Sequence, residues 1–436
     1  MIPKQRGEPM PFDLSRGAPQ RIAVVGGGIS GLAAARLLSR HHTVTLFEAA
    51  PRLGGHARTV MAGKNGDQPV DTGFIVFNHV NYPHLTGMFR DLDVPIEKSD
   101  MSFGVSLDGG RVEYALRSGN ALFGQRRNLV DPRFYRMIRD ILRFNGGAEA
   151  RVAASPDMTI AELIGAMGLG TRFRDHYLYP FCGAIWSTPD RDIGGFPARA
   201  LLRFMRNHGL LSKAEHHQWW TVTGGSVAYV DRLAAALVRS GVDLRLAAPV
   251  RGIRRMDGGV SLRADGAEPE MFDQVILASH ADQALGMLSD ADGDERACLS
   301  AIRFQPNRTV LHSDPSVMPR RRRCWSSWVS RGDGPRSGVG VSYWMNRLQN
   351  IPEDDPLFVT LNPVERIDPR LIHDEVTFHH PVFDRAALDA QARIAAMQGR
   401  RNTWFAGAWL RNGFHEDGFA SAARIARRLV PTQVLP

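Results

Sequence analysis

Three glycines, Gly26, Gly28 and Gly31, are spaced Gly-x-Gly-x-x-Gly within RIAVVGGGISGLAAARLL (Arg21–Leu38). Residues of this type and spacing let a main chain approach a pyrophosphate. Gly26 suits a tight turn, Gly28 leaves room for backbone against the phosphates, and Gly31 permits close packing of helix on strand. Ile29 and Ser30 would open the following helix, whose N-terminus offers free N–H groups and a partial positive charge. The Ser30 hydroxyl adds a donor. Glu48 follows at about the twenty-residue spacing of a carboxylate that grips a ribose.

These residues need a strand, a turn and a helix to hold them. Ile22–Val25 is an apolar run of the kind buried in a parallel sheet. Ile29–Arg40 has the alanine and leucine content of a helix. Thr43–Phe47 reads as the next strand and delivers Glu48. A glycine triplet alone is only a loop; strand, helix and acid in this order make a dinucleotide-binding βαβ unit.

The stretch EAAPRLGGHARTV (Glu48–Val60) separates one dinucleotide from another. Its Glu-x-x-x-Arg-x-Gly-Gly spacing resembles the second signature of the superfamily of flavin amine oxidases, protoporphyrinogen oxidases and phytoene desaturases, whose cofactor is FAD. The resemblance implies that Arg52 lies near the ribose and phosphates and that Gly54 and Gly55 bring backbone close to them. His56 stands where the family often has arginine. Further segments resemble the superfamily in order. Trp219–Leu237 is similar to its Gly-Gly segment leading into a helix, and Gly241–Arg255 to the next strand, whose Val250 would touch the adenine end. Phe272–Leu285 is similar to the strand that closes the nucleotide domain. TWFAGAWLRNGFHEDGFASAARIA (Thr403–Ala426) resembles the last strand, turn and helix. There Gly407 would lie beside the flavin, and Asp417, Gly418 and Phe419 would begin a helix whose N-terminus faces the pyrimidine ring. No cysteine follows Cys324, so the FAD is expected to be non-covalent.

A narrower resemblance rests on VDTGFIVFNHVNYPHL, DMSFGVSL, AIWSTP, RRRRCWSSW and YWMNRL. These are similar to a bacterial branch associated with cyclopropane- and methyl-branched fatty acid modification, which implies a fatty acyl lipid substrate. The fold class expected is α/β: a Rossmann-like FAD-binding domain (GR2-type) with an inserted α+β substrate domain. Motif order places a flexible lead over 1–20, a discontinuous FAD-binding domain over 21–75, 220–290 and 395–436, and a substrate domain over 76–219 and 291–394. In the first insertion Phe134, Met137, Ile138, Ile141 and Leu142 recur on one helical face. The second holds the expected strands RTVLHS, GVGVSYWM and PLFVTL. Together they would enclose a cavity over the flavin.

Composition narrows the class. At 436 residues, with 43% hydrophobic and 23% charged residues, the chain is ordinary for a globular protein with a sizeable core. Three scattered cysteines give neither a disulfide framework nor a zinc site, and a reducing compartment is expected. The first twenty residues lack the apolar core of a secretory signal. The expected address is cytoplasmic, with peripheral contact at the inner face of an anionic membrane. That contact is suggested by the net charge of +9 and by Arg320–Arg323 beside Trp325 and Trp328, for which a plain solvated loop is the favoured reading and a membrane patch the alternative. No nucleic-acid recognition module is present.

Only one dinucleotide fingerprint exists, so no separate nicotinamide domain is expected. The flavin would take a hydride directly from substrate and pass electrons to an external acceptor. No lysine follows Lys213, and Phe414 precedes the final helix where amine oxidases often place tyrosine; both weaken an amine substrate. The reading is an FAD-dependent oxidoreductase that desaturates a branched or methylated fatty acyl chain. Redox-neutral double-bond isomerisation, flavin amine oxidation, and a non-catalytic partner of a lipid methyltransferase are the alternatives. His56, His79 and His415 are candidates for the proton-accepting base. Tyr179, Phe181, Trp186 and Phe414 are candidates for lining an acyl channel, and no metal is expected.

Overall fold

The computed structural model describes residues 18–186, 193–207, 210–211, 217–332 and 340–430. Most of the expected flexible lead therefore lies outside the described residues. Strand β1 (Arg21–Val25), helix α1 (Ile29–Leu38) and strand β2 (Thr43–Phe47) form where the apolar pattern places them. β1 sits in the middle of a five-stranded sheet in the order 243–245, 43–47, 21–25, 274–277 and 403–405. Every pairing in it is parallel. Ile22 through Val25 are buried, as the uninterrupted apolar run of a two-sided parallel strand requires.

Alternate residues feed two cores. Ile22, Val24 and Ile276 pack with Leu32 and Ala33 of α1 and with Ala422, Ile425 and Ala426 of the C-terminal helix (His415–Leu429). Ala23, Val25, Val275 and Leu277 face an antiparallel three-stranded sheet (250–256, 259–264, 270–272) and the helix Arg385–Met397.

A mixed seven-stranded sheet stands beside this unit, in the order 372–381, 304–312, 358–361, 340–344, 328–332, 103–107 and 112–115. It is stitched from two distant parts of the chain, because Trp328–Gly332 pairs in parallel with Phe103–Leu107. Helices over 132–154, 160–166, 179–186 and 198–207 cover it. The stripe expected on Pro132–Ala154 is displaced. The buried face holds Phe134, Met137, Asp140, Phe144, Ala148 and Val152, whereas Ile138 and Ile141 are half-buried and Leu142 is exposed. Asp140 belongs to the inner face because its carboxylate accepts the Gly170 amide at 3.0 Å.

Buried Asp71 ties the early strands to the helix Val227–Arg239. It accepts the Thr59 hydroxyl, the Ser226 amide and hydroxyl and the Gln349 amide group. Burial pushes its carboxyl up to about 6. Among the described residues no helix is long and apolar enough to cross a membrane.

Candidate functional site

The glycine turn is tight where the spacing requires it and open where a ligand would sit. A Cβ on Gly31 would lie 1.8 Å from the Gly26 carbonyl oxygen, and one on Gly26 would lie 2.7 Å from that of Ala278. A Cβ on Gly28 would meet nothing within 4 Å. No side chain caps the N-terminus of α1 at Gly28. The second signature closes on this turn. The Gly54 amide donates to the Gly27 carbonyl at 2.8 Å, and Gly54 (φ +106°) and Gly55 (φ +57°) both take conformations that favour glycine.

Glu48 ends β2 beside the turn, where its carboxylate accepts the Gly27 amide at 2.6 Å and the Ala50 amide at 2.7 Å. Arg52 is exposed and does not itself line the cavity, but it lies against Gly55, which does. Its guanidinium donates to the carbonyls of Leu53, Gly55 and Ala57 and so shapes the Gly-Gly loop from outside.

One continuous cavity of about 1230 Å³ begins at this turn. That exceeds the ~300–1,000 Å³ usual for a single small-molecule pocket. One arm passes Gly26, Gly28, Ile29, Ser30, Glu48 and Val250. The middle passes Gly54, Gly55, His56 and Gly407. The other arm enters the seven-stranded sheet and its helices between Met101, Phe103, Tyr177, Phe181, Tyr343 and Phe414.

Two of the three candidate imidazoles border the cavity. His56 stacks on Phe378 (ring centroids 4.8 Å), with His380 at 5.6 Å and His280 at 6.1 Å. Burial, then the neighbouring imidazoles, hold its pKa well below the ordinary value. Its ring nitrogens have no hydrogen-bond partner among the described residues. His415 stacks on Phe74 at 3.8 Å, and its Nε2 lies 3.1 Å from the Tyr229 Oη. Burial pushes its pKa down to about 3. His79 is corrected: it is exposed beside Trp220 and outside the cavity.

The final helix begins at His415, earlier than expected, and this rotates the next residues away from the cavity. Asp417, Gly418 and Phe419 are buried and do not border it. Asp417 instead accepts the Asn412 and Phe414 amides at 3.2 and 3.1 Å. Gly418 is needed for contact with α1, since a Cβ there would lie 2.8 Å from the Ser30 Oγ.

In the acyl-channel candidate YLYPFCGAIWS, the cavity is lined by Tyr177, Phe181 and Ile185, at helical spacing. Tyr179 lies off that face, with the Arg174 guanidinium over its ring at 6.0 Å. The side chain of Trp186 lies outside the described residues. Phe414 lines the cavity and stacks on Phe204 at 5.3 Å. Sequence reasoning missed Phe74, Tyr229 and Arg117; the first two are ordinary core residues by pattern and come to the site only through tertiary packing.

Residues 29–430 match the family described as flavin containing amine oxidoreductase. The chain belongs to that family. Protoporphyrinogen oxidase 2 (chloroplastic/mitochondrial) of Arabidopsis thaliana is 60% identical over 43 residues, 10% of this chain and 8% of that protein. Polyamine oxidase 5 of Oryza sativa subsp. japonica is 35% identical over 107 residues, 24% of this chain and 21% of that protein. The matched stretches thus span less than a quarter of either relative. In fold, the chain is similar to the CLA-producing fatty acid isomerase from P. acnes (TM-score 0.68, 18% identity, 94% of this chain and 99% of that one). It is equally similar to the cyclohexylamine oxidase from Brevibacterium oxydans IH-35A (TM-score 0.68, 15% identity, 94% and 99%).

This family member has residues that fit a flavin dinucleotide. The uncapped start of α1, the open space at Gly28 and the Glu48 carboxylate lie along one arm of a cavity larger than the usual small-molecule pocket. All three cysteines are buried and free, and none borders the cavity.

Proposed function

We propose that this flavoprotein binds FAD non-covalently and dehydrogenates a methyl-branched or otherwise modified fatty acyl chain. One observation carries the reading. The arm beyond the flavin position is apolar, and Arg117 borders it with no ion-pair partner among the described residues. Its one described carboxylate, Asp100, is already matched by Arg347 at 3.3 Å. An acid-ended apolar chain suits such an arm, and an ammonium does not.

When bound, FAD supplies a two-electron, hydride-accepting ring. The glycine turn and Glu48 would hold its diphosphate and ribose. Tyr177, Phe181 and Ile185 exclude water and align the acyl chain. The acyl chain would lose a hydride from one carbon and a proton from its neighbour to give a C=C bond, the proton going to a protein base and the hydride equivalent to the flavin, were it bound, and on to an external acceptor. His56 borders the middle of the cavity and would take that proton at a ring nitrogen, burial favouring its uncharged, proton-accepting form while weakening it as a base. His415 is held by Tyr229 and orients the wall.

Anaerobic mixing of the FAD-loaded protein with branched acyl lipids tests this. The visible flavin band should bleach once, with a product lighter by about two mass units. Bleaching by amines and by no acyl lipid overturns the reading. The similarity in fold to a fatty acid isomerase supports a second reading, redox-neutral movement of a double bond. It would show as many anaerobic turnovers without an added acceptor and an unchanged product mass.

A further inference from the structure

Half of the run Arg320–Arg323 is engaged, and although Arg320 and Arg323 are exposed without an ion pair among the described residues, the tryptophans beside the run are not exposed. Arg321 pairs with buried Glu113 at 2.7 Å. Arg322 pairs with Glu353 and lies over the rings of Trp325 and Trp344. Trp325 is buried. A different surface combines cation and exposed apolar side chain. Between Leu116 and Arg143 the chain carries seven arginines against Asp131 and Asp140. Both acids are engaged: Asp131 binds Arg172 at 2.7 Å, and Asp140 is buried against the Gly170 amide with Arg139 and Arg143 beside it. Arg127, Arg133 and Arg136 are exposed and have no ion-pair partner among the described residues.

Set among these cations, Val130 is 82% exposed, Leu129 46%, Tyr135 46% and Leu116 42%. The pieces form one surface. The Tyr135 hydroxyl donates to the Leu129 carbonyl at 3.0 Å, its ring lies 5.8 Å from that of Phe123, and Arg126 donates to Asn120 and to the Phe123 carbonyl. Leu116 and Arg117 are exposed and also border the cavity's apolar arm, so the arm reaches solvent at this surface.

We propose that the Leu116–Arg143 surface docks on an anionic lipid bilayer, with the open end of the apolar arm facing the membrane. Unpaired arginines meet lipid phosphates at an anionic surface, while Val130, Leu129 and Tyr135 enter the headgroup–acyl boundary. A nucleic acid would satisfy the arginines and leave these apolar side chains in water. Delivery of an acyl chain through this opening rests on the acyl-oxidation reading; binding to the bilayer does not.

Cosedimentation of the FAD-loaded full-length protein with vesicles tests the docking. Vesicles of equal parts phosphatidylcholine and phosphatidylglycerol should pellet the protein, pure phosphatidylcholine should not, and added salt should release it. Leu129→Ser with Val130→Ser, and separately Arg127→Gln with Arg133→Gln and Arg136→Gln, should each weaken binding at least about tenfold. Both should keep the flavin spectrum and thermal midpoint, and Arg308→Gln, whose guanidinium is paired with Glu375 at 2.7 Å, should bind as wild type. Protein left in the supernatant with both vesicle types overturns the docking, as does unchanged binding by both variants or a preference for duplex DNA over the acidic vesicles. Oxidation of detergent-dispersed acyl lipid without vesicle binding would sink the docking alone; vesicle binding without acyl turnover would sink only the acyl reading.

Discussion

Gly28 and Gly54 pair through their main chains in an isolated parallel bridge, joining the two nucleotide-binding signatures directly. The glycines around that bridge are not equivalent, and substitution separates them. Gly28→Val places its side chain in open space at a backbone angle any residue adopts (φ −77°). It should leave the apoprotein's thermal midpoint nearly unchanged and weaken FAD binding at least about tenfold, read by fluorescence titration. Gly31→Ala must push Cβ into the Gly26 carbonyl. It should cost more than about 4 kcal/mol and reduce soluble yield. Loss of apoprotein stability in the Gly28 variant would mean that its open space is structural.

Glu416 caps a helix other than its own. One carboxylate oxygen accepts the His84 amide and Nδ1 at 3.0 and 2.6 Å, and the other accepts the Leu85 amide at 3.0 Å, at the start of the helix Pro83–Asp91. Glu416→Ala should lower the unfolding free energy in urea by about 1–3 kcal/mol, because it leaves buried donors unsatisfied. Glu416→Gln keeps an acceptor and should cost less.

Stability should fall on the acid side through several imidazoles at once. His56, His280, His380 and His415 all titrate below the ordinary histidine value when folded, chiefly through burial. The unfolded chain therefore binds protons first as pH drops below about 6.5. Their contribution is complete above that pH and is lost as pH falls toward about 4, with a slope of up to about 1.4 kcal/mol per imidazole per pH unit. Urea midpoints measured across this range should decline, and His415→Gln should flatten the decline.

The proton-transfer role divides the histidines. His56→Ala should retain FAD and lower kcat for the acyl substrate by about 10²–10⁴. His79→Ala lies outside the cavity and should leave kcat within twofold. Equal activity in both variants, measured by stopped-flow bleaching, would remove His56 from the chemistry.

The βαβ unit was legible because its signal is local. An apolar run, a glycine spacing and an acid lie within one short stretch, and β1, α1 and β2 formed on them. Helical spacing also contained the lining face, but Tyr179 was read for its aromatic ring, whereas Tyr177 and Ile185 share the turn positions of Phe181. Arg52 and the arginine run show the opposite limit. Charge type is visible in a sequence; whether a guanidinium meets a phosphate, a carbonyl or buried Glu113 is decided by residues far along the chain. The placement of His415 against Phe74 and Tyr229 is of the same kind.

The contact between α1 and the last helix carries a consequence for biosynthesis. Ser30 and Gly418 touch across nearly the whole length of the chain, and the strand at 403–405 closes the sheet that holds the glycine turn. A ribosome must therefore release the chain as far as the helix His415–Leu429 before the first βαβ unit has its supporting neighbours. Nascent or truncated chains lacking residues 403–429 would expose an unbraced α1 to chaperones and proteases, and retention of the yellow chromophore would report that this last strand and helix had been made.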